Sequence, residues 1–325
     1  MTQTQSVRSN ASVDCGHITQ GIMNNDTLEL NTFEYTDHGA LDLEHEIDPD
    51  NNFFSTINNN CHYYTGEQFN RSIKTDGKLS IIHFNSRSLY ANFTSIRDYL
   101  DTFSQPFNII AISETWLNKD RELDFDMDGY ELSYINRQNK GGGGVAIYVD
   151  KTLNFKVLES MTTVVDNVSE CISIEICKEK RKKLIISCLY RAPGSNIEVF
   201  KDWMEDIFSN KGNKTIFICG DFNIDLLNPN KHKMTEEFIN TMYSMSYYPI
   251  ITRPSRITSH CATLIDNIFT NDIENNTLSG LLINDISDHL PVFTVYDRNY
   301  KINKPVNNND YRRVRTEESM IAFKN

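Results

Sequence analysis

Four strand-like apolar runs in this chain end in polar side chains that could together bind a divalent cation and a phosphate. Each run is rich in large apolar residues, and a carboxylate or an amide stands at its end. Polar side chains at the ends of neighbouring strands gather at one edge of a sheet, so the pattern predicts a single, rigidly held site. The residues concerned are Asn85, Glu114, Asp221 with Asn223, and Asp288 with His289.

Glu114 is a candidate metal ligand. It follows the apolar run Ile109–Ser113 at the mouth of a predicted buried strand, and glutamate is not a favoured cap residue. Magnesium takes oxygen ligands and usually only one or two protein carboxylates, which leaves coordination positions for water and a substrate phosphate. The sequence therefore predicts a Mg²⁺ site built on Glu114 and Asp288.

Asp266 and His289 are a candidate acid–histidine pair. Asp266 interrupts the apolar run Leu264–Ile268, where a carboxylate requires a partner. A histidine held by an aspartate has a fixed tautomer and orientation, and it can activate water or donate to a phosphate oxygen. Taken alone, His289 fits a satisfied core histidine equally well, and Gly220–Asn223 fits an ordinary turn after a strand.

The elements that must position these residues alternate between strand and helix. Leu79–Phe84 and Phe107–Ile112 are predicted strands on either side of a helix with one apolar face. A β-hairpin, a helix opened by a capping box at Ser195–Glu198, and further strands follow. Gly141–Gly144 lacks the helix context of a phosphate loop and is interpreted as a turn entering a strand. The pattern predicts a mixed α/β body.

The acidic charge of the chain is concentrated near its N-terminus. The net charge of −12 divides into −9 for residues 1–76 and −3 for residues 77–325. Residues 1–76 are also rich in Asn and Asp and lack apolar periodicity, which predicts a mostly disordered region, although an aromatic patch at 61–69 could instead pack on the body. A nearly neutral body fits an enzyme with a local phosphate-binding patch and disfavours a non-specific DNA coat protein. We expect a catalytic domain over residues 77–299 and a polar linker over 300–325.

The cysteine positions and the hydropathy of the chain indicate which cellular compartments suit the protein. The seven cysteines form no C-x-x-C pair, and several lie in strand-like runs, which indicates reduced, buried thiols and neither disulfides nor zinc. No apolar run approaches the roughly 20 residues that span a bilayer, and the N-terminus carries no apolar signal segment. The protein is expected to be soluble and not secreted, with no membrane partner.

Taken together, the motifs resemble those of the endonuclease/exonuclease/phosphatase superfamily, in particular the apurinic-like endonuclease domain of LINE-type non-LTR retrotransposons. They occur in family order over about residues 79–296, and the set is specific although no single member is. The matching stretches are Ile82–Leu89, Ser113–Leu117, Gly142–Tyr148, Tyr190–Pro193, Gly220–Asn223, Thr263–Asp266 and Ile286–Pro291.

The resemblance implies a DNase I-like fold: an α/β four-layer sandwich of two mixed β-sheets flanked by helices, with the site at one edge of the sheets. It implies that Glu114 is the metal ligand and that Asn85 and Asp288 lie close to the ion. The ion would be Mg²⁺, with Mn²⁺ as an alternative.

The resemblance also implies the catalytic parts. Asp221 would position or deprotonate the attacking water, and Asn223 would help to hold the scissile phosphate. His289, oriented by Asp266, would hydrogen-bond that phosphate, and Tyr190 would support the phosphate or the leaving group. Whether Asp221 or His289 acts as the general base stays open at this point.

As a function, the resemblance implies an endonuclease that acts as a monomer on double-stranded DNA, in the nucleus, and leaves a 3′-hydroxyl. Arg191, Arg253 and Arg256 are candidate contacts to the DNA backbone. In LINE-type polyproteins a reverse transcriptase follows this domain. Residues 311–325 resemble the start of the connecting segment, but no polymerase is present, which we interpret as a truncated or host-retained element.

Two other functions stay open. The first is a phosphoesterase of the same fold that acts on a small or lipid phosphate, since relatives include inositol-phosphate phosphatases and sphingomyelinases. The second is a catalytically inactive remnant that binds nucleic acid or a protein partner. All the catalytic-type residues are present, which disfavours the remnant, and metal-dependent DNA cleavage distinguishes the three.

Overall fold

The apolar runs of the sequence form the strands of two β-sheets. The computed structural model describes residues 61–117, 125–137, 142–177, 183–209, 212–227, 229, 232–272 and 277–297. In chain order the elements are β1 (Cys61–Tyr64), α1 (Gly66–Ser72), β2 (Leu79–Asn85), α2 (Leu89–Leu100), β3 (Ile109–Ser113), β4 (Tyr130–Ile135), β5 (Val145–Asp150), β6 (Phe155–Val157), a 3-10 helix (Glu159–Met161), β7 (Thr163–Val165), β8 (Ser169–Ile176), β9 (Leu184–Arg191), α3 (Ile197–Phe208), β10 (Thr215–Asp221), α4 (Lys233–Ser244), β11 (Tyr248–Pro249), β12 (Arg256–Ile257), β13 (Ala262–Thr263), β14 (Asp266–Thr270), β15 (Thr277–Leu282) and β16 (Val292–Tyr296).

Both large sheets mix parallel and antiparallel pairing. The first has the order β1-β15-β16-β2-β3-β5-β4, and the second has the order β11-β14-β10-β9-β8-β6, with β7 also paired to β8. β2 runs parallel to β3, and β9 runs parallel to β10. Parallel neighbours end at the same edge of a sheet, so the polar residues that follow these strands are brought side by side.

The two faces of the first sheet pack against different layers, because successive side chains of a strand point in opposite directions. In β2, Ile81 belongs to the apolar cluster that it shares with the second sheet, whereas Ile82 packs in a separate cluster with Phe93 of α2. On the second sheet, the rings of Phe269 in β14 and Phe238 in α4 lie 6.0 Å apart. The order helices, sheet, sheet, helices confirms the predicted four-layer α/β sandwich.

The described fold begins at Cys61, upstream of the boundary expected at residue 77. β1 adds a parallel strand beside β15 at the edge of the first sheet. Thr65 then caps α1 in a capping box, and the Phe69 ring of this helix lies 5.0 Å from that of Phe293. The aromatic patch therefore packs on the body, which was one of the two alternatives left open by the sequence.

α3 begins one residue later than the predicted capping box implied. The N-cap is Asn196 rather than Ser195, and the Asn196 side-chain oxygen accepts hydrogen bonds from the backbone N–H groups of Glu198 and Val199. Asparagine caps helices as well as serine does, so two adjacent residues offered equivalent local signals.

Three further observations complete the fold. The six cysteines among the described residues are all free thiols. None of the helices in the described part of the chain combines the length and apolarity needed to cross a membrane. Disorder was expected for most of residues 1–76; residues 1–60 of that range lie outside the described residues, as does the linker expected over 300–325.

Candidate active site

The ends of strands from both sheets meet at one edge of the sandwich, and the predicted polar residues gather there. Asn85 ends β2 in the first sheet, and Asp221 ends β10 in the second. The Asn85 Nδ2 group donates a hydrogen bond of 2.8 Å to Asp221 Oδ2 and so joins the two sheets. Asp266, the first residue of β14, is the antiparallel partner of Asp221. The fold thus brings together residues that are distant in sequence.

Glu114 lies beside this contact on a strained loop. Its backbone φ is +52°, in the left-handed region that residues other than glycine rarely adopt. The Glu114 carbonyl accepts hydrogen bonds from Ser88 N at 2.9 Å and from Ser86 Oγ at 3.0 Å. Asn85 Nδ2 also donates to Glu114 Oε1 at 3.1 Å, so one amide links the carboxylates of Glu114 and Asp221.

Asp221 is a buried carboxylate, only 1% exposed, that Asn223 holds in place. The Asn223 backbone N–H donates to Asp221 Oδ1 at 2.9 Å, and its Nδ2 group donates to Oδ2 at 3.1 Å. Burial, with the negative charges of Asp266 and Glu114, raises the pKa of Asp221 well above its usual range. A carboxylate with a raised pKa is a better proton acceptor at neutral pH.

Gly220 has a steric reason to precede Asp221. A Cβ atom at this position would lie 2.0 Å from the carbonyl oxygen of Leu189 on the neighbouring strand β9. No real side chain tolerates that approach, so glycine is required for β10 to lie against β9 at this point. The glycine of the Gly220–Asn223 motif therefore places Asp221 by permitting close strand contact.

Asp266 and His289 are hydrogen-bonded to each other, as the sequence predicted for this acid–histidine pair. Their Oδ2 and Nδ1 atoms are 2.7 Å apart, and Ser255 Oγ donates to the same Asp266 oxygen at 2.8 Å. Burial acts to lower the pKa of His289, but Asp266 and the other nearby acids outweigh it and raise the pKa to about 9. His289 is therefore positively charged at neutral pH and can donate a hydrogen bond through Nε2.

Asp288 lies beside His289 and between two arginines. Arg87 Nη1 donates to Asp288 Oδ1 at 2.9 Å, while Arg256 Nε and Nη2 lie 2.9 Å and 2.8 Å from Oδ2. Burial acts to raise the pKa of Asp288, but His289 and the two guanidinium groups lower it. Both carboxylate oxygens of this expected metal ligand are thus engaged by guanidinium groups. Sequence reasoning assigned no part to Arg87, although it lies two residues after Asn85.

Two of the arginines expected to contact the DNA backbone donate hydrogen bonds to backbone carbonyls of the protein. Arg191 is only 5% exposed and donates to the backbone carbonyl of Asn223 at 3.1 Å. Arg253 Nε donates to the carbonyl of Cys61 at 2.8 Å, which ties β1 to the body. A guanidinium carries five N–H donors and can satisfy loop carbonyls that lack partners, which is the physical reason for both placements. Arg256 lies at the rim of the site with 41% of its side chain exposed.

Tyr190 lies in β9, opposite Asp221 on one side and Glu170 on the other. Burial and the nearby acids raise its pKa, so its hydroxyl stays protonated and can donate a hydrogen bond. Beside it lies a buried ion pair, Arg137 with Glu170, that sequence reasoning missed. The available signal was the alternation along β8, which puts Glu170 on the same face as Ile172.

The acids of this site suit a divalent cation. One potential ligand atom from each of Asp221, Asp266 and His289 lies within 4.8 Å of the others, and Glu114 joins the group through Asn85. Asp266 Oδ1 is buried and has no hydrogen-bond partner within the described residues. Oxygen-rich, negatively charged groups of this kind fit a hard cation such as Mg²⁺ or Mn²⁺. Because His289 Nδ1 is already bonded to Asp266, we favour the Glu114 side of the group for the ion.

Comparison with known sequences relates this site to one family of enzymes. The sequence model of the Endonuclease/Exonuclease/phosphatase family matches residues 82–289. This range contains all of the acidic, amide and histidine residues described above. A search of curated proteins gives no match.

Several solved structures have the same fold. The endonuclease domain of TRAS1, a telomere-specific non-LTR retrotransposon, is 14% identical with a TM-score of 0.52, over 67% of this chain and 98% of that one. The Xenopus laevis APE2 catalytic domain is 16% identical with a TM-score of 0.54, over 67% and 92%. An AP endonuclease from Archaeoglobus fulgidus is 17% identical with a TM-score of 0.52, over 67% and 99%. At these identities the comparisons establish the fold.

Proposed function

The chain belongs to the endonuclease/exonuclease/phosphatase family, and we propose that within it the protein is an endonuclease that nicks double-stranded DNA and leaves a 3′-hydroxyl. Family and fold make it a metal-dependent phosphoesterase. The observation that carries the proposal is the buried Asp266–His289 pair beside Asp221, with His289 charged and Asp221 held by two amides. This arrangement supplies a proton acceptor and a hydrogen-bond donor within one site.

Asp221 is the residue that we assign to activate water. Its raised pKa favours proton uptake, whereas His289 is already protonated at neutral pH and is poorly suited to be the base. The pKa directions of the two groups therefore favour Asp221 for the role that the sequence left open. As the water oxygen bonds to phosphorus, Asp221 takes the proton. Asn223 holds the Asp221 carboxylate through its Nδ2 group, which also donates to the Arg191 carbonyl.

His289 is the residue that we assign to stabilise the charge that develops on the phosphate. As the bond from phosphorus to the 3′ oxygen breaks, the leaving oxygen gains negative charge and needs a donor. The imidazolium donates from Nε2, Asp266 fixes the ring through Nδ1, and the protonated Tyr190 hydroxyl is a second donor. Mg²⁺ or Mn²⁺, held by Glu114 with Asn85 and Asp288 close by, would supply Lewis-acid polarisation of the phosphate.

The rim of the site favours a nucleic acid over a small phosphate. Arg87 and Arg256 present half-exposed guanidinium groups beside the site. Trp116, 47% exposed, follows Glu114 by two residues. Tyr90, 63% exposed, is the second residue of α2, and the first residue of that helix, Leu89, donates a hydrogen bond to the Thr115 carbonyl. Basic groups interleaved with exposed aromatic rings are typical of surfaces that bind a phosphate backbone and stack on bases. A pocket for a small substrate would instead bury most of its ligand.

Supercoiled-plasmid nicking by the full chain tests the proposal. With Mg²⁺ we expect conversion of supercoiled to open-circular DNA, and with EDTA we expect none, because the acid cluster needs a cation to bind and polarise the phosphate. Bis(4-nitrophenyl) phosphate, an inositol phosphate and sphingomyelin are assayed in parallel. Faster hydrolysis of one of these substrates than of DNA would replace the proposal with a small-phosphate or lipid esterase. A folded protein inactive on all four would indicate a remnant.

Trp116 provides a test of the substrate class. Its side chain is exposed. Its backbone φ is +52°, and a 2.9 Å hydrogen bond from its N–H to the Gly143 carbonyl holds this conformation. An exposed aromatic in a strained conformation next to Glu114 is expected to stack on the nucleic acid. Trp116→Ala should weaken DNA binding in EDTA about 10-fold, since stacking contributes about 1–3 kcal/mol per base.

The control for this prediction is Met234→Ala. Met234 is 52% exposed on α4, so the substitution removes a similar area of exposed apolar surface elsewhere. DNA affinity is measured by fluorescence anisotropy of a labelled duplex, and hydrolysis of bis(4-nitrophenyl) phosphate is expected to stay unchanged in both variants. Equal DNA affinity of the Trp116→Ala variant and the unaltered protein would remove the stacking contact from the proposal.

We further propose that the domain derives from a LINE-type retrotransposon and acts in the nucleus as a monomer. The support is the set of family-ordered motifs in the sequence, together with the fold shared with the TRAS1 endonuclease domain. Sequence preference of cleavage in mapped nick sites would test the origin. A retrotransposon endonuclease is expected to nick a restricted set of sites, through DNA shape and deformability rather than through a side-chain code.

A further inference from the structure

We infer that the buried ion pair between Arg137 and Glu170 is a positioning unit that fixes the metal-binding loop at Glu114 and the ring of Tyr190. The inference deepens the function proposed above and rests on it, because it concerns the same site. Three groups of contacts support it: those of Glu170, those of the glycine turn and those of Arg137. The cost of burying two charges supports it as well.

Glu170 makes two contacts that lead in different directions. Its side chain is fully buried in β8, and its Oε1 atom accepts a hydrogen bond from Arg137 Nε. Its other oxygen, Oε2, accepts a hydrogen bond of 3.2 Å from the backbone N–H of Gly144. The carboxylate therefore connects the arginine after β4 with the glycine turn before β5.

The glycine turn in its own right holds the loop that carries Glu114. The Gly144 carbonyl accepts a hydrogen bond from Thr115 N at 3.2 Å, and the Gly143 carbonyl accepts one from Trp116 N at 2.9 Å. These two amides follow Glu114 directly. The left-handed backbone of Glu114 is thus restrained from the side of the glycine turn, and Glu170 restrains that turn.

The contacts also explain why this turn is built of glycine. Gly143 and Gly144 have φ values of +70° and +85°. A Cβ atom on Gly143 would lie 2.7 Å from Arg137 Nε and 2.8 Å from Glu170 Oε2, and one on Gly144 would lie 2.4 Å from Thr115 Oγ1. The turn is therefore packed directly onto the ion pair and the Glu114 loop. The glycine run of the sequence serves close packing, as its lack of phosphate-loop context indicated.

Arg137 carries the second half of the unit. Its guanidinium lies 5.6 Å from the centre of the Tyr190 ring, within the range of a cation–π contact. Its side chain is only 9% exposed, and its Nη2 atom has no hydrogen-bond partner within the described residues. Because Tyr190 is the strand partner of Asp221, a ring fixed by Arg137 faces the catalytic edge.

A role in stability alone does not account for this pair. Desolvation of two buried charges offsets most of their attraction, and apolar replacements of similar size are often neutral or stabilising. The Nη2 donor, which has no partner within the described part of the chain, adds a further cost. What apolar residues cannot reproduce is the hydrogen bond to Gly144 N and the fixed guanidinium. The pair is therefore expected to matter for metal binding more than for folding.

Binding of Mn²⁺ to the metal-free full chain tests the inference by isothermal titration calorimetry. The main variant combines Arg137→Met with Glu170→Met, which leaves the net charge near the ion unchanged. We expect its Mn²⁺ affinity to fall by about 10–100-fold, as is typical when groups that orient metal ligands are lost. Its unfolding temperature should be equal to or above that of the unaltered protein.

Glu175→Gln is the matched control, because Glu175 lies on the same strand and is also a nearly buried glutamate in ion pairs, with Lys156, Lys183 and Lys214. Its Mn²⁺ affinity is expected to match that of the unaltered protein. Unchanged affinity in the folded double variant, or an equal loss in the control, would overturn the inference. Should the double variant not fold, Glu170→Gln is measured in its place and judged by the same two outcomes.

The calorimetric readout separates this inference from the proposed function. A protein whose Mn²⁺ affinity depends on the Arg137–Glu170 pair but that does not nick DNA supports the inference and contradicts the proposed substrate. A protein with no measurable Mn²⁺ binding overturns the inference, whatever its activity on DNA.

Discussion

Asp221→Asn is expected to lower the rate of Mg²⁺-dependent plasmid nicking by about 10³-fold, the range observed when a general base is removed. The substitution keeps the size of the side chain and one oxygen acceptor. That oxygen can keep the two bonds that Asp221 Oδ2 accepts from the Nδ2 groups of Asn85 and Asn223, while the bond from the Asn223 backbone N–H to Oδ1 is lost. What is lost is the ability to take a proton from water. The measurement is the initial nicking rate at saturating Mg²⁺.

Asp225→Asn is the control for this prediction. Asp225 lies in the same loop, and its Oδ1 atom accepts hydrogen bonds from the backbone N–H groups of Leu227 and Leu264. An asparagine can accept the same two bonds, so nicking by this variant should stay within a few-fold of the unaltered rate. A folded Asp221→Asn variant that nicks within tenfold of the unaltered protein would remove Asp221 from the role of base.

Stability should respond to Asp221→Asn in the opposite direction from activity. Burial, Asp266 and Glu114 raise the pKa of Asp221 in the folded state, so its ionised form opposes folding at neutral pH. That cost is fully present above the folded-state pKa, and it disappears as pH falls below the ordinary range of an aspartate. In EDTA we therefore expect the variant to unfold at a higher temperature at neutral pH, with the difference vanishing in acid. Added Mg²⁺ should stabilise the unaltered protein more than the variant.

The Asp266–His289 pair is expected to behave as one unit. His289→Gln removes the charged donor and should lower the nicking rate by about 10³-fold. Asp266→Asn should lower it by a similar factor, because the imidazole then loses its orientation and its positive charge. The double variant should be no slower than His289→Gln alone, since Asp266 acts through His289 and residues that act as a unit are not additive.

The free energy of unfolding is expected to show the same coupling between Asp266 and His289. Among the described residues, His289→Ala leaves the buried Asp266 carboxylate with the Ser255 hydroxyl as its one side-chain partner. Breaking a buried pair in this way costs about 3–5 kcal/mol. Asp266→Asn in the same chain removes the stranded charge and should recover part of that loss. Urea unfolding of the four proteins measures the coupling. His260→Ala, at an exposed histidine, is the control and should leave the free energy of unfolding unchanged.

Additive losses of activity in the double variant would contradict the prediction that Asp266 and His289 act as one unit. They would mean that Asp266 contributes to catalysis on its own, for example by binding the cation through its Oδ1 atom, which has no hydrogen-bond partner among the described residues. Calorimetric Mn²⁺ affinity of Asp266→Asn distinguishes this case from simple misorientation of His289. A loss of affinity would move the ion from the Glu114 side toward Asp266.

The sequence by itself determined the strands that carry the site and the residues at their ends. Leu79–Asn85, Ile109–Ser113 and Thr215–Asp221 are strands as their apolar runs predicted, and each ends in or directly before a polar residue of the site. Such features can be read locally, because a strand buried on both faces needs continuous apolar residues. A carboxylate next to such a run must have a partner or a function.

The tertiary structure alone decided which polar groups meet. Asp288 pairs with Arg87, 201 residues away in sequence, and Asn85 reaches Asp221 across 136 residues. It also brought Arg191 and Arg253 within hydrogen-bond distance of backbone carbonyls, contacts that the sequence did not indicate. The long side chain of arginine reaches a loop carbonyl or a solvent-exposed phosphate equally well, and only the arrangement of neighbouring loops selects between them.

The same distinction applies to the edges of the fold and to its hidden ion pair. Residues 61–72 carry too little apolar pattern to be assigned, yet β1 completes the first sheet because β15 offers it a free edge. Arg137 and Glu170 have no local motif, and they became a pair because β4 and β8 pack across from one another between the two sheets. Sequence patterns determine what each strand buries, whereas the packing of strands from different sheets determines which charges are buried together.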